Sequence, residues 1–193
     1  LHGGSFHVRT ETEGKVWNRS YTLNQKGEIL GFYDKIHLFD VSLNNGQNYC
    51  ESLVSQHGCR PSQVVINGIP MGMSICYDVR FPAIFREQAR QGAEILSAPA
   101  AFTRQTGEAH WHVLQRARAI ENGAWVISAA QGGTHADQPV GAGLHGCGEQ
   151  IQLADETAGE GHAGRFFRFL FQAKFQELAG NKLARRRDGL PVG

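Results

Sequence analysis

The sequence predicts an α/β fold. Short apolar runs bounded by glycine, proline and asparagine alternate with two longer stretches of helical spacing, and that interleaving is the pattern of strands covered by helices. Strands are expected at residues 3–6, 15–24, 28–33, 64–66, 71–76, 94–98 and 124–130. Between the first two, Glu11 and Glu13 sit in a polar, turn-like stretch and read as a solvated loop. The fourth and fifth strands are joined by a turn through Gly68 and Pro70. A helix follows at 82–91, where Pro82 occupies the first turn. A second spans 107–122, with Val113, Leu114, Ala117 and Ile120 as its apolar stripe.

Composition excludes several classes. The chain has 193 residues, 41% hydrophobic content and a formal net charge of +1, which suits one buried core and gives no bias toward nucleic acid. No apolar run approaches the ~18 residues that read as a membrane span, and no secretory signal opens the chain, so a cytoplasmic protein without a membrane partner is expected. Cysteines 50, 59, 76 and 147 form no C-x-x-C pair, so reduced thiols are expected rather than disulfides or structural zinc. His110 and His112 point to different helix faces and the other histidines lack paired spacing. The glycines at 132–133 and 141–148 lack the Gly-Lys-Ser/Thr of a phosphate loop. No metal or other cofactor is expected.

The chemistry-bearing candidate is Cys76, in Gly72-Met73-Ser74-Ile75-Cys76-Tyr77-Asp78-Val79-Arg80-Phe81-Pro82. A thiol at a strand's carboxyl end, just before a helix, can be ionised by a nearby cation or base and faced by backbone N–H groups. The competing reading is a structural buried cysteine. Upstream, Tyr33-Asp34-Lys35-Ile36-His37-Leu38-Phe39-Asp40 places one lysine among apolar neighbours, and Tyr49-Cys50-Glu51-Ser52 supplies a carboxylate. Taken alone, Lys35 and Glu51 read as a solvated charge pair.

Four motifs in order, YDKIHLFD, GMSICYDVRFP, AEILSAPAAFTRQTGEAHW and RARAIENGAWVISAAQGG, resemble the carbon–nitrogen hydrolases of the nitrilase superfamily, in the branch of omega-amidase and deaminated-glutathione amidase. The resemblance covers about residues 1–135. It implies an α-β-β-α sandwich, incomplete here at both ends, whose members commonly pair through helices into homo-oligomers. It also implies a small linear amide as substrate, attacked by Cys76 through a thioester with release of ammonia or an amine. Lys35 would stand beside the thiol as a cation, Glu51 would hold the lysine, and the N–H of Tyr77 would complete an oxyanion site. Phe102, Thr103 and Trp111 match the segment that lines the substrate site in relatives. Asp78 and Arg80 are expected to orient the turn through a salt bridge.

Two departures temper this. The family's general-base glutamate precedes the lysine by a spacing that runs back past Leu1, so the chain reads as a fragment, and the alternative function is an inactive piece that only binds small molecules or partner subunits. After residue 135 the family's Gly-His-Ser and Pro-Trp-Gly segments do not follow, so residues 136–193 read as an atypical, divergent or frame-shifted tail beyond a partial hydrolase domain at 1–135.

Overall fold

The computed structural model describes residues 1–43, 46, 48–131 and 150–152. These lie in one compact unit, Leu1–Thr157. The expected tail at 136–193 falls outside the described residues except for a strand at Gln150–Gln152.

Two sheets make the framework. The first is antiparallel: β1 (His2–Arg9), β2 (Val16–Leu23) and β3 (Ile29–Asp34) in that order, with the short β6 (Ser55–Gln56) parallel to the start of β2. A separate two-stranded ribbon joins β4 (Asp40–Ser42) to β5 (Asn48–Cys50). The second sheet runs β11-β10-β9-β8-β7, formed by β7 (Ser62–Ile66), β8 (Ile69–Met73), β9 (Ile95–Ser97), β10 (Trp125–Ser128) and β11 (Gln150–Gln152). The β8, β9 and β10 strands are parallel, and each crossover carries a helix, α1 (Pro82–Arg90) and α2 (Arg104–Asn122).

The alternation of β8 assigns the layers. Met71 and Met73 point to one side, where the Met73 sulfur accepts from the Thr22 hydroxyl of the first sheet at 3.7 Å. Gly72 points to the other side, against α1, where Gln88 donates to the Met73 carbonyl at 2.7 Å. A Cβ on Gly72 would lie 2.6 Å from Gln88 Oε1, so only glycine lets the helix approach this closely. Among the described residues the layers are thus sheet, sheet and helices, three of the four in an α-β-β-α sandwich.

Several expectations shift. The strand expected at 71–76 ends at Met73; Ile75 is still extended, but Cys76 takes a left-handed φ of 49° that takes it out of any strand. The second helix begins at Arg104, not 107, because Thr103 caps it by accepting from the Thr106 N–H. Its inward face is Trp111, Gln115, Arg118 and Ala119, while Val113 and Ile120 are exposed. The polar members of that face are partly satisfied: Gln115 Oε1 accepts from Ser128 at 2.8 Å and Arg118 donates to the Val79 carbonyl at 2.9 Å, while Gln115 Nε2 and Trp111 Nε1 are buried with no hydrogen-bond partner among the described residues.

Candidate active site

Cys76 opens a one-turn 3-10 helix, Cys76–Arg80, directly after the extended Ile75. Its N–H donates to Pro99 O at 2.9 Å, and Ser74 N–H and hydroxyl both donate to Ser97 O, so the turn is stitched to the end of β9. The thiol has only a weak contact to Ala101 O at 3.9 Å. A left-handed non-glycine residue is strained, and here the surrounding bonds hold it. The N–H of Tyr77, second in the helix, has no acceptor within its own turn.

Lys35 follows β3. Its N–H donates to Asn18 O and its carbonyl accepts from Gly58 N–H, which fixes the backbone from both sides. The side chain is 3% exposed, and its Nζ donates to Glu51 Oε2 at 2.5 Å. Glu51 heads the short helical turn Glu51–Leu53 and also accepts from Asn18 Nδ2 at 2.8 Å and from the Phe39 N–H at 2.7 Å. Burial pushes the Glu51 carboxyl up, but Lys35, Asn18 and Phe39 together outweigh it and hold the group below its ordinary value. At Cys76 the balance is opposite: burial raises the thiol above its ordinary value, with the Lys35 charge pulling the other way.

The structure therefore brings Cys76, Lys35 and Glu51 into one electrostatic neighbourhood. The remaining candidates are placed as follows. The Tyr77 ring packs edge-on against Phe39 at 5.0 Å and Phe81 at 5.3 Å, interlocking the lysine's segment with the thiol's turn. Phe102 follows the Ala101 carbonyl that faces the thiol, and stacks edge-on against the fully buried Trp111 at 5.0 Å. Thr103 is committed to capping α2.

The expected Asp78–Arg80 salt bridge does not form. Asp78 is fully buried and accepts from Tyr33, His37 and the Ile75 N–H, while Arg80 turns away to His110 Nδ1 at 3.3 Å. Backbone donors and a histidine within reach of the carboxylate satisfy it without the guanidinium. Sequence reasoning passed over Asn18, Tyr33 and His37. The last two stand two residues on either side of Lys35 in the same motif, and that proximity was the available signal. Asn18 carried none. Among the described residues no group of three or more His, Cys, Asp or Glu is placed to hold a metal, and no helix is long and apolar enough to cross a membrane.

The family profile described as carbon-nitrogen hydrolase matches residues 1–151. The chain belongs to the carbon–nitrogen hydrolase family. Among curated relatives, the deaminated glutathione amidase of Synechocystis sp. is 46% identical over 138 residues, 70% of this chain and 50% of that protein. The chain spans about half the length of the curated relatives it matches. Among solved structures, the C. elegans NitFhit protein aligns over 79% of this chain and 40% of its own, with 35% identity and a TM-score of 0.68. A mutant amidase from Nesterenkonia sp. AN1, whose active-site cysteine carries the acetamide moiety of fluoroacetamide, aligns over 76% of this chain and 51% of its own, with 25% identity and a TM-score of 0.60. These matches agree with the nitrilase-like sandwich read from the sequence.

Proposed function

We propose that this chain carries the thiol side of an amide-hydrolysing site acting on a small linear amide. The observation that supports it most is Lys35: a nearly fully buried ammonium, held by Glu51, whose charge acts on the Cys76 thiol. In this reading the Cys76 thiolate attacks the amide carbon and forms the C–S bond. The Tyr77 N–H and the Lys35 ammonium stabilise the oxygen as it gains charge. The C–N bond then breaks as the nitrogen takes up, by way of solvent, a proton equivalent to the one the thiol lost; ammonia leaves, and water hydrolyses the thioester to the free acid and the regenerated thiol. Phe102, Thr103 and Trp111 frame the acyl side, Phe102 nearest and Trp111 from behind it. Pairing of two copies through α2 is supported by the exposed Val113 and Ile120 on one helix face.

A second reading, a chain that binds without turning over, is favoured by the proton inventory. The thiol is raised by burial, and Glu51, already accepting three bonds, is a poor acceptor for its proton. The chemistry calls for a further proton acceptor beside the thiol, the role that the family resemblance gives to a glutamate. The test is ammonia release from small ω-amides by the chain and by Cys76→Ala. Release that vanishes in the variant supports the hydrolase; equal release from both removes Cys76 from the mechanism. No release from either, with iodoacetamide alkylating Cys76 no faster than the exposed Cys50 and Cys59, supports the second reading.

A further inference from the structure

Asp78 joins the two halves of the site. It belongs to the thiol's turn, two residues after Cys76, and is fully buried. Its Oδ2 accepts from Ile75 N–H at 2.8 Å, immediately before the nucleophile, and from the Tyr33 hydroxyl at 2.9 Å. Its Oδ1 accepts from His37 N–H at 3.1 Å and is 2.7 Å from His37 Nδ1. Tyr33 and His37 stand two residues before and two residues after Lys35. One carboxylate thus holds the lysine's segment on both flanks, by the Tyr33 hydroxyl on one side and the His37 N–H and ring on the other, while holding the turn that presents the thiol. The grip is braced: the His37 ring stacks on Phe81 at 3.7 Å and 5°, and the Tyr33 oxygen also accepts from the Ile36 N–H at 3.1 Å.

We propose that Asp78 is a positioning residue that fixes the Lys35 ammonium relative to the Cys76 thiol, acting through the Tyr33–His37 segment and not on substrate. This rests on the proposed pairing of Lys35 with Cys76 but not on turnover. The physical basis is that charge–charge energy varies inversely with distance and a buried ammonium has little solvent to screen it, so its effect on the thiol depends on where the backbone holds it. Asparagine cannot replace the carboxylate. In one amide orientation its NH₂ faces the Ile75 N–H and in the other the His37 N–H, so one backbone donor always loses its acceptor.

The charge and positioning effects of Asp78 have opposite signs. As a negative charge Asp78 raises the thiol, so its removal by charge alone would ease ionisation. Loss of lysine positioning would hinder it. The experiment is the pH dependence of iodoacetamide alkylation at Cys76 in the full chain, resolved from the other cysteines by peptide mass analysis, for the native sequence, Asp78→Asn, Tyr33→Phe, Lys35→Met and the Asp78→Asn/Lys35→Met double variant. Expected is an upward midpoint shift in Asp78→Asn, slowing alkylation at pH 7 by about fivefold or more, since rate follows the thiolate fraction. Tyr33→Phe should shift the same way by less, and the double variant should sit at or below the Lys35→Met midpoint. An unchanged or lowered midpoint in folded Asp78→Asn overturns the proposal, as does a double variant whose shifts add. If Asp78→Asn does not fold, an unchanged midpoint in Tyr33→Phe overturns it. Alkylation needs no turnover, so absent ammonia release with these shifts present counts against the hydrolase reading alone, whereas a Lys35→Met variant with no shift sinks the pairing and this inference together.

Discussion

Replacing Lys35 with methionine keeps most of the side-chain volume and removes the charge from a buried pair. Lys35 is 3% exposed and Glu51 16%, and they meet at 2.5 Å. Removing one partner of such a pair costs ~3–5 kcal/mol because the other charge is left uncompensated. Glu51 keeps its bonds from Asn18 and Phe39 and some solvent, so the lower end, about 3 kcal/mol, is expected at pH 7. The pH dependence carries the sign. In the native chain Glu51 is held below its ordinary value, so its contribution is present above that value and is lost as pH falls through the folded one. Without Lys35, burial pushes the carboxyl up, and the variant regains stability relative to the native chain as Glu51 takes a proton. Urea unfolding at pH 7 and at about pH 4 should therefore give a wide gap at the first and a narrower one at the second. A gap of under about 0.5 kcal/mol at pH 7, or one of equal width at both, refutes the claim that the pair is electrostatically committed.

Two further outcomes follow from geometry. Cys76→Gly, relieved of the strain of a left-handed φ of 49°, should be more stable than Cys76→Ala by about 0.5 kcal/mol by calorimetry, and a clearly less stable glycine variant would refute the strain. In Gly58→Ala the new methyl would run into the carbonyl of Asp34, a backbone group with no rotamer to escape into, just before Lys35. A loss of about 3 kcal/mol, near 8 °C in melting temperature, is expected, and a variant melting within 2 °C of the native chain would mean the contact relaxes freely.

Where the fold was legible, side-chain periodicity made it so. Strands β2, β3 and β7 and helix α1 sit close to their expected spans because their apolar residues recur at the period of the element. The ribbon of Asp40–Ser42 and Asn48–Cys50 was missed, since three-residue strands are too short to carry a period. The start of α2 was misplaced because Gly107 reads as a helix breaker, although Thr103 offered a cap. Its buried face was misassigned because Gln115 and Arg118 are polar, and only tertiary partners such as Ser128 and the Val79 carbonyl justify their burial. At the site, Cys76, Lys35 and Glu51 were legible as motif residues. The Asp78 network was not, because its partners lie far off in the chain and no local pattern predicts that a buried acid will choose Tyr33 and His37 over the neighbouring Arg80.

The two carboxylates whose charge acts on the thiol, Asp78 and Glu51, both spend their lone pairs on other donors. Asp78 accepts from three backbone and hydroxyl donors and meets the His37 ring; Glu51 accepts from an ammonium, an amide and a backbone N–H. A carboxylate so occupied must break bonds to take a proton, and Glu51 is held below its ordinary value by the donors around it. In the proposed reading Asp78 holds geometry and Glu51 holds the lysine, so the Cys76 proton is expected to leave to bulk base or to a group outside this pair. Alkylation at Cys76 should accordingly slow about tenfold for each pH unit below the ordinary thiol range, with no second plateau, as for a simple thiol raised by burial. A plateau of fast alkylation persisting below pH 6 would require an acceptor already sharing the proton within this chain, and the assignment of Glu51 and Asp78 to purely supporting work would then be wrong.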